Sequence, residues 1–158
     1  MNINAQNLDY YQLNQAIRQA EGPVVIDHCL GQRFIGTALG AGRSLTIRGV
    51  PGNAMGAYLD GGSIEVFGDV QEATGDTMNA GTIVVHGSAG DATGYSMRGG
   101  VILIEGDVGY RAGIHMKAYE DKVPVLVISG RSPIKISCSL ISSVSLLWSL
   151  TFTFRGAA

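Results

Sequence analysis

The chain carries the sequence GVPGNAMGAYLDGGSIEVF at residues 49–67, GDVQEATGDTMNAGTIVVH at residues 68–86 and GSAGDATGYSMRGGVILIE at residues 87–105. These copies follow one another without insertion or deletion, and a fourth begins GDVGYRAGIHMKAY at residue 106. Two glycine positions recur in every copy: Gly49, Gly68, Gly87 and Gly106, and then Gly56, Gly75, Gly94 and Gly113. Repeats this short cannot each bury a core, so they must stack as the coils of a solenoid.

Each copy also contains a strand-like segment of β-branched composition, at residues 63–66, 82–85 and 101–104. Further apolar positions recur at the same spacing, and we expect their side chains to point inward: Pro51, Val70, Ala89 and Val108; Ala54, Ala73 and Ala92; Leu59, Met78, Met97 and Met116; Ile64, Ile83 and Ile102; Val66, Val85 and Ile104. The pattern predicts an all-β fold, a right-handed parallel β-helix of about 19-residue coils. A sandwich of hairpin strands is the alternative, but only coils stacked about 4.8 Å apart require equal lengths.

The residues before the repeats predict a cap on the solenoid. Asn7 or Asp9 suits the N-cap of a helix that reaches about Glu21 and ends before Gly22 and Pro23. Such a helix would cover the strand edges and apolar side chains of the first coil. After a short strand at residues 24–26, residues 29–47 repeat the coil pattern with one extra residue. We therefore assign residues 1–23 to an N-terminal cap and residues 24–130 to the β-helix.

Residues 131–158 differ in kind from the coils and form an atypical, β-rich C-terminal segment in this prediction. Before them, residues 120–124 look like an insertion, and residues 125–128 resume the strand pattern. The segment alternates apolar and polar residues, which is typical of strands. Residues 136–154 carry no charge, and the run is long enough to raise a membrane-spanning helix. Its serines, its threonines and its strict alternation argue against such a helix. We expect no membrane association.

Composition and charge narrow the class of partner. Charged residues make up 15% of the chain, against about a quarter in typical domains, which favours lasting contacts with other chains. Residues 49–122 hold four Lys/Arg and ten Asp/Glu, a balance that argues against nucleic acid. Cys29 and Cys138 lie outside any CxxC spacing, and the N-terminus has no signal-peptide pattern. We expect reduced thiols and a cytoplasmic protein.

The sequence offers no residue that we assign to catalysis, to a cofactor or to a metal. None of the three histidines has metal-ligand spacing with another: His28, His86 and His115. Asn53, Glu72 and Asp91 share one repeat position and predict a polar ladder, for which a solvated edge is favoured over a cation site. The glycine-rich turns recur in every coil and precede no helix, which argues against a phosphate-binding loop.

The glycine repeat resembles the GXGXG domain of glutamate synthase, as do LGQRFIGTAL at residues 30–39 and GDVGYRAGIHMKAY at residues 106–119. In the large subunit of that enzyme this domain is the C-terminal β-helix, and in many archaea and some bacteria a similar domain is a separate protein. The resemblance covers about residues 8–130. One of the subunits of formylmethanofuran dehydrogenase is similar to the same domain.

The resemblance implies a scaffold rather than an enzyme. In the synthase a cysteine amidotransferase domain hydrolyses glutamine, and a barrel with FMN and an iron–sulfur cluster reduces 2-oxoglutarate. This sequence begins MNINA, without a cysteine after Met1, and has no cluster cysteines. The implied role is a noncatalytic structural subunit or domain of a glutamate-synthase-type complex, with FMN and the cluster on partner subunits. A formylmethanofuran dehydrogenase scaffold and a free-standing β-helix enzyme or binding module are the alternatives.

One outward strand position predicts where partners bind. It is filled in successive coils by Thr46, Glu65, Val84 and Leu103. Val84 and Leu103 are therefore apolar where earlier coils are polar, and they lie about 4.8 Å apart on neighbouring strands. We expect them to form a partner surface, for other subunits or for a second copy of the chain.

Overall fold

The structure is a computed structural model that describes residues 1–132, and the statements below concern these residues. The predicted C-terminal segment lies outside the described residues from residue 133 onward. Cys138 and the uncharged run at residues 136–154 lie outside them as well.

Seven parallel strands form one sheet in which the spatial order follows the chain order. They are β1 (Asn2–Asn4), β2 (Val24–Leu30), β3 (Ser44–Val50), β4 (Asp60–Phe67), β5 (Ala80–Val85), β6 (Val101–Ile104) and β7 (Val125–Ile128). Helix α1 (Tyr10–Gln19) lies between β1 and β2 in the chain. Parallel neighbours cannot be joined by a hairpin, so the chain makes a full coil between each pair of strands. The predicted all-β parallel β-helix with a short N-terminal helix is confirmed.

The 19-residue period sets the register of the sheet. Glu65 pairs with Val84, and Val84 pairs with Leu103. The inward residues on both sides of this outward column are at most 2% exposed: Leu45, Ile64, Ile83 and Ile102, and Ile47, Val66, Val85 and Ile104. Leu103 pairs with Val127, which follows it by 24 residues, because coil four contains an extra turn. Tyr119 and Lys122 close that turn with two backbone hydrogen bonds, at the predicted insertion.

The methionine position lies in the core, as predicted. Leu59, Met78 and Met97 have no exposed surface. Met116, in the last coil, packs against the core but is only partly buried. Large apolar residues at one position of the repeat therefore stack in consecutive coils.

The prediction that Ala54, Ala73 and Ala92 point inward is wrong. These alanines are partly exposed turn residues with φ between +55° and +59°. The next residue in each coil is buried instead: Met55, Thr74 and Thr93. A left-handed alanine reverses the backbone, which moves the inward position one residue along the chain. The hydroxyls of Thr74 and Thr93 donate to backbone carbonyls three residues earlier, so these buried polar groups are satisfied.

The two glycine positions serve different contacts between coils. A Cβ on Gly68 would lie 2.3 Å from the carbonyl oxygen of Gly49 in the preceding coil. At Gly75, where φ is +69°, a Cβ would lie 2.4 Å from Cδ1 of Ile102. The first position thus lets two backbones touch, and the second leaves room for a core side chain.

Helix α1 begins at a capping box. The Asp9 carboxylate accepts from the Gln12 amide at 2.7 Å, and the Gln12 side-chain oxygen accepts from the Asp9 amide at 3.1 Å. Leu13 and Ile17 on its inner face are at most 3% exposed. The helix ends at Gln19, two residues before the predicted end at Glu21. Within residues 1–132 no helix has the length and apolar character needed to cross a membrane.

Strand β1 was not predicted, because three residues with two asparagines give a weak strand signal. Its Ile3 pairs with Ile26 of β2 and is buried. Gln32 attaches the loop after β1 to the first coil. Its side-chain NH2 donates to the carbonyls of Ala5 and Leu8 at 2.9 and 3.1 Å, and its side-chain oxygen accepts from the Leu30 amide at 2.7 Å. One buried amide therefore joins the cap to the coils.

Candidate functional site

The outer face of the sheet becomes apolar toward its C-terminal end. Val84 and Leu103, the predicted partner surface, are neighbours on β5 and β6 and are both partly buried. Val127 continues their column on β7, and Val101 and Val125 form the adjacent outward column. Val125 and Val127 are each 39% exposed. We call these five residues the outer patch.

Sequence reasoning found only two members of the outer patch. The other three continue the same register across β6 and β7, so the period contained the signal. The longer fourth coil concealed Val125 and Val127, because each follows its partner on β6 by 24 residues rather than 19. Only the pairing of β7 with β6 brings Val125 and Val127 beside the earlier coils.

A charged cluster borders the outer patch. The Nε2 atom of His86 lies 3.0 Å from a Glu65 carboxylate oxygen, and its Nδ1 atom lies 3.0 Å from a Glu105 oxygen. Its ring stacks on Phe67 with centroids 4.6 Å apart. Because both nitrogens face carboxylates, both donate only when the imidazole is protonated. The hydrogen bonds to Glu65 and then to Glu105 accordingly raise the pKa of His86.

Sequence reasoning also missed this cluster, although the repeat contained a signal for it. Phe67, His86 and Glu105 occupy one position of the 19-residue period. The regular register therefore stacks them on successive coils. Glu65, the other carboxylate, comes from the neighbouring outward column and reaches His86 diagonally.

The turns between the strands carry the predicted polar ladder. Glu72 and Asp91 line an open groove of about 600 Å³ together with Ala92, Tyr110 and Arg111. The Asp91 carboxylate accepts from the Tyr110 amide of the next coil at 2.7 Å, so it holds two coils together. Within residues 1–132 no group of three or more His, Cys, Asp and Glu side chains is placed to hold a metal ion.

A second ladder runs beside the first glycine position. The Asp69 carboxylate accepts from the Ser88 amide at 2.8 Å, and the Ser88 hydroxyl accepts from the Asp107 amide at 3.1 Å. The Asp107 carboxylate then accepts from the Arg131 amide at 2.6 Å. Each side chain thus accepts from a backbone amide of the next coil and joins the two coils.

Cys29 is a core residue. Its side chain is buried, and its thiol donates to the Gln32 side-chain oxygen at 3.4 Å. Burial raises the pKa of this thiol to about 11, and a hydrogen bond from the Gln32 backbone offsets part of that effect. A thiol that stays protonated at neutral pH is a poor nucleophile and a poor metal ligand. The expectation of a reduced, buried thiol is met at Cys29.

Comparison with known proteins agrees with the repeat. The family model for the GXGXG motif matches residues 10–134. The uncharacterized protein MJ1350 of Methanocaldococcus jannaschii is 50% identical over 138 residues, which cover 82% of this chain and 52% of that protein. The chain therefore spans about half the length of the curated relative that it matches. No solved structure gives a significant match. Since the family model matches the chain from the start of helix α1 through every coil described above, the chain belongs to the GXGXG motif family.

Proposed function

We propose that this chain is a noncatalytic structural subunit or domain of a glutamate-synthase-type complex. The observation that carries the proposal is the GXGXG match over residues 10–134, because this domain resembles the C-terminal β-helix of the glutamate synthase large subunit. In this role the chain scaffolds separate amidotransferase and FMN/iron–sulfur synthase parts. It then serves glutamate biosynthesis and ammonia assimilation in the cytoplasm.

The stacked coils suit a scaffold on physical grounds. Every coil contributes apolar side chains at the same inward positions. Hydrogen bonds between backbone groups, and from backbone amides to side chains, join each coil to the next. The outer patch adds a contiguous apolar surface on three neighbouring strands. Such surfaces are typical of protein contacts, because each side chain that a partner covers is removed from water. We place the contact with the partner parts at the outer patch.

We place FMN and the iron–sulfur cluster on the partner parts and no cofactor on this chain. A cluster needs about four thiolate ligands, and the sequence has two cysteines. Of these, Cys29 is buried in the core with a thiol pKa of about 11. Its protonated thiol does not suit a cluster.

Purification from the native cell tests the proposal. We expect an affinity-tagged chain to recover amidotransferase and FMN-containing synthase polypeptides, identified by mass spectrometry. Adding the purified chain to those parts should raise glutamine-dependent glutamate formation. Recovery of formylmethanofuran dehydrogenase polypeptides would instead assign the scaffold to that complex. Glutaminase activity or near-stoichiometric flavin absorbance in the isolated chain would contradict a noncatalytic role.

A further inference from the structure

The two ends of the solenoid differ in how well the core is covered. At the N-terminal end, β1 and helix α1 lie over the first coil. Ile26, Leu45 and Ile47 of that coil are at most 2% exposed. The cap therefore closes this end almost completely.

At the C-terminal end the last coil is incompletely covered. Leu126 and Ile128 of β7 are only partly buried, and so is Met116. The residues at the same positions one coil earlier are at most 1% exposed: Ile102, Ile104 and Met97. Side chains that are fully buried when another coil follows thus remain accessible here. We call Met116, Leu126 and Ile128 the open end.

Strand β7 also has a free edge within residues 1–132. The amides of Val125 and Ser129 donate to Gly100 and Ile104 on the β6 side. Because backbone direction alternates along a strand, the amides and carbonyls of Leu126 and Ile128 point to the other side. No described strand pairs there. An apolar strand with an unpaired edge is a template on which an extended segment can pair.

The chain continues from β7 in the register of a further coil. The Gly130 amide donates to the Gly106 carbonyl at 3.1 Å, and the Arg131 carbonyl accepts from the Val108 amide at 2.9 Å. The backbone at residues 130–131 is thus still stacked on coil four. Residues 133–158 follow, more than the 19 residues of a regular coil. They include the uncharged, alternating run at residues 136–154.

We propose that residues 133–158 of the same chain dock on the open end. They would add apolar side chains over Leu126 and Ile128 and supply backbone partners to the free edge of β7. An uncharged run suits this position because no unpaired charge becomes buried. The tether favours the same chain, since a short linker holds a segment at a millimolar effective concentration. The proposal is independent of the assignment to a glutamate-synthase-type complex.

The full-length chain offers a direct probe, because its single tryptophan, Trp148, lies in this segment. We expect native Trp148 emission to be shifted to shorter wavelength than in urea and to resist quenching by iodide. We also expect slow hydrogen exchange at the amides of Leu126 and Ile128 at every protein concentration. The amides of Ile83 and Val85 in β5 report that the coils remain folded.

A pair of variants separates docking from general stability. Phe152→Ser should make exchange at Leu126 and Ile128 at least roughly tenfold faster, because an apolar contact is lost, while exchange in β5 is unchanged. Thr151→Ser is the matched control and should change neither. Solvent-exposed Trp148 emission in the native protein, with unprotected amides at Leu126 and Ile128, would overturn the proposal. Protection that appears only at concentrations where light scattering detects dimers would overturn it as well, by showing that a second copy occupies the open end.

Discussion

Ala73 and Gly75 show why only some left-handed residues in these turns need to be glycine. Their φ values are +57° and +69°, so both have the same unusual backbone conformation. Ala73 is partly exposed, so its methyl group is not fully enclosed in the core. Gly75 faces the core, where Cδ1 of Ile102 occupies the space of a side chain. The demand for glycine therefore comes from the neighbouring coil as well as from φ.

Replacing Gly75 with alanine should lower the free energy of unfolding by about 2–5 kcal/mol. The left-handed conformation costs an L-residue about 1–2 kcal/mol, and overpacking a core costs about 1–3 kcal/mol. Ala73→Gly is the matched control, since it should stay within about 1 kcal/mol of the native protein. Urea unfolding followed by circular dichroism measures both. Equal midpoints for the two variants would contradict the assigned contact with Ile102.

The His86 cluster predicts a pH dependence. NMR titration should give His86 a pKa above its ordinary value of 6.5, because Glu65 and Glu105 stabilise the protonated ring. Glu65→Gln should lower that pKa, whereas Glu72→Gln, in the groove beside Asp91, should not. Because the folded-state pKa is raised, the cluster stabilises the fold fully below the unfolded-state pKa. This contribution disappears as pH rises through the folded-state pKa.

The test compares the melting temperatures of the native protein and of Glu65→Gln at several pH values. These run from below the ordinary His pKa of 6.5 to above the raised pKa of His86. Their difference should be largest at the acid end and should shrink as pH rises through the His86 pKa. A difference that grows with pH would contradict the imidazolium assignment.

At the scale of elements, the N-terminal cap depends on contacts that are not local. The helix has its own capping box, but helices of ten residues are marginal in water without packing. Leu13 and Ile17 supply that packing, and Gln32 joins the loop after β1 to the end of β2. The segment at residues 30–39 that resembles the GXGXG domain thus contains the residue that attaches the cap.

Gln32→Leu should therefore destabilise the protein by about 2–4 kcal/mol. The change leaves the Ala5 and Leu8 carbonyls and the Leu30 amide without their buried partner, and such groups cost about 1–3 kcal/mol each before relaxation. Gln15→Leu, at an exposed position of α1, is the control and should stay within about 0.5 kcal/mol. Thermal unfolding and hydrogen exchange in α1 provide the readout. Undisturbed exchange in α1 would show that Gln32 does not hold the cap.

At the scale of the whole molecule, the outer patch predicts where association occurs. The double change Val84→Ser and Leu103→Ser should weaken partner binding or self-association, because it removes apolar area from the patch. The fold should survive, at a cost of about 1 kcal/mol for each strand residue. Thr46→Ser with Thr82→Ser alters outward polar positions of the same face and serves as the control. If pull-down and light scattering give the same result for both variants, the interface lies elsewhere.

The sequence by itself determined the fold, through its period. Coils that stack side by side must have equal lengths, so four glycine-marked units with one 19-residue spacing leave few alternatives to a parallel β-helix. The strand segments, the core methionines and the insertion before β7 follow from the same spacing. Val84 and Leu103 could be placed on one outward column for this reason, whereas the assignment to a complex came from the resemblance.

Tertiary structure alone decided which side of each turn faces the core and what crosses between coils. Ala73 looks inward in the sequence because it is apolar, yet Thr74 is the buried residue. The left-handed backbone at Ala73 turns the next side chain toward the core, and the Thr74 hydroxyl donates to a nearby backbone carbonyl. The Gln32 contacts, the pairing of β1 and the position of Val127 likewise join residues far apart in sequence. Periodicity reports the direction of a side chain only while the backbone stays regular. At turns and insertions that direction is set by the coils above and below.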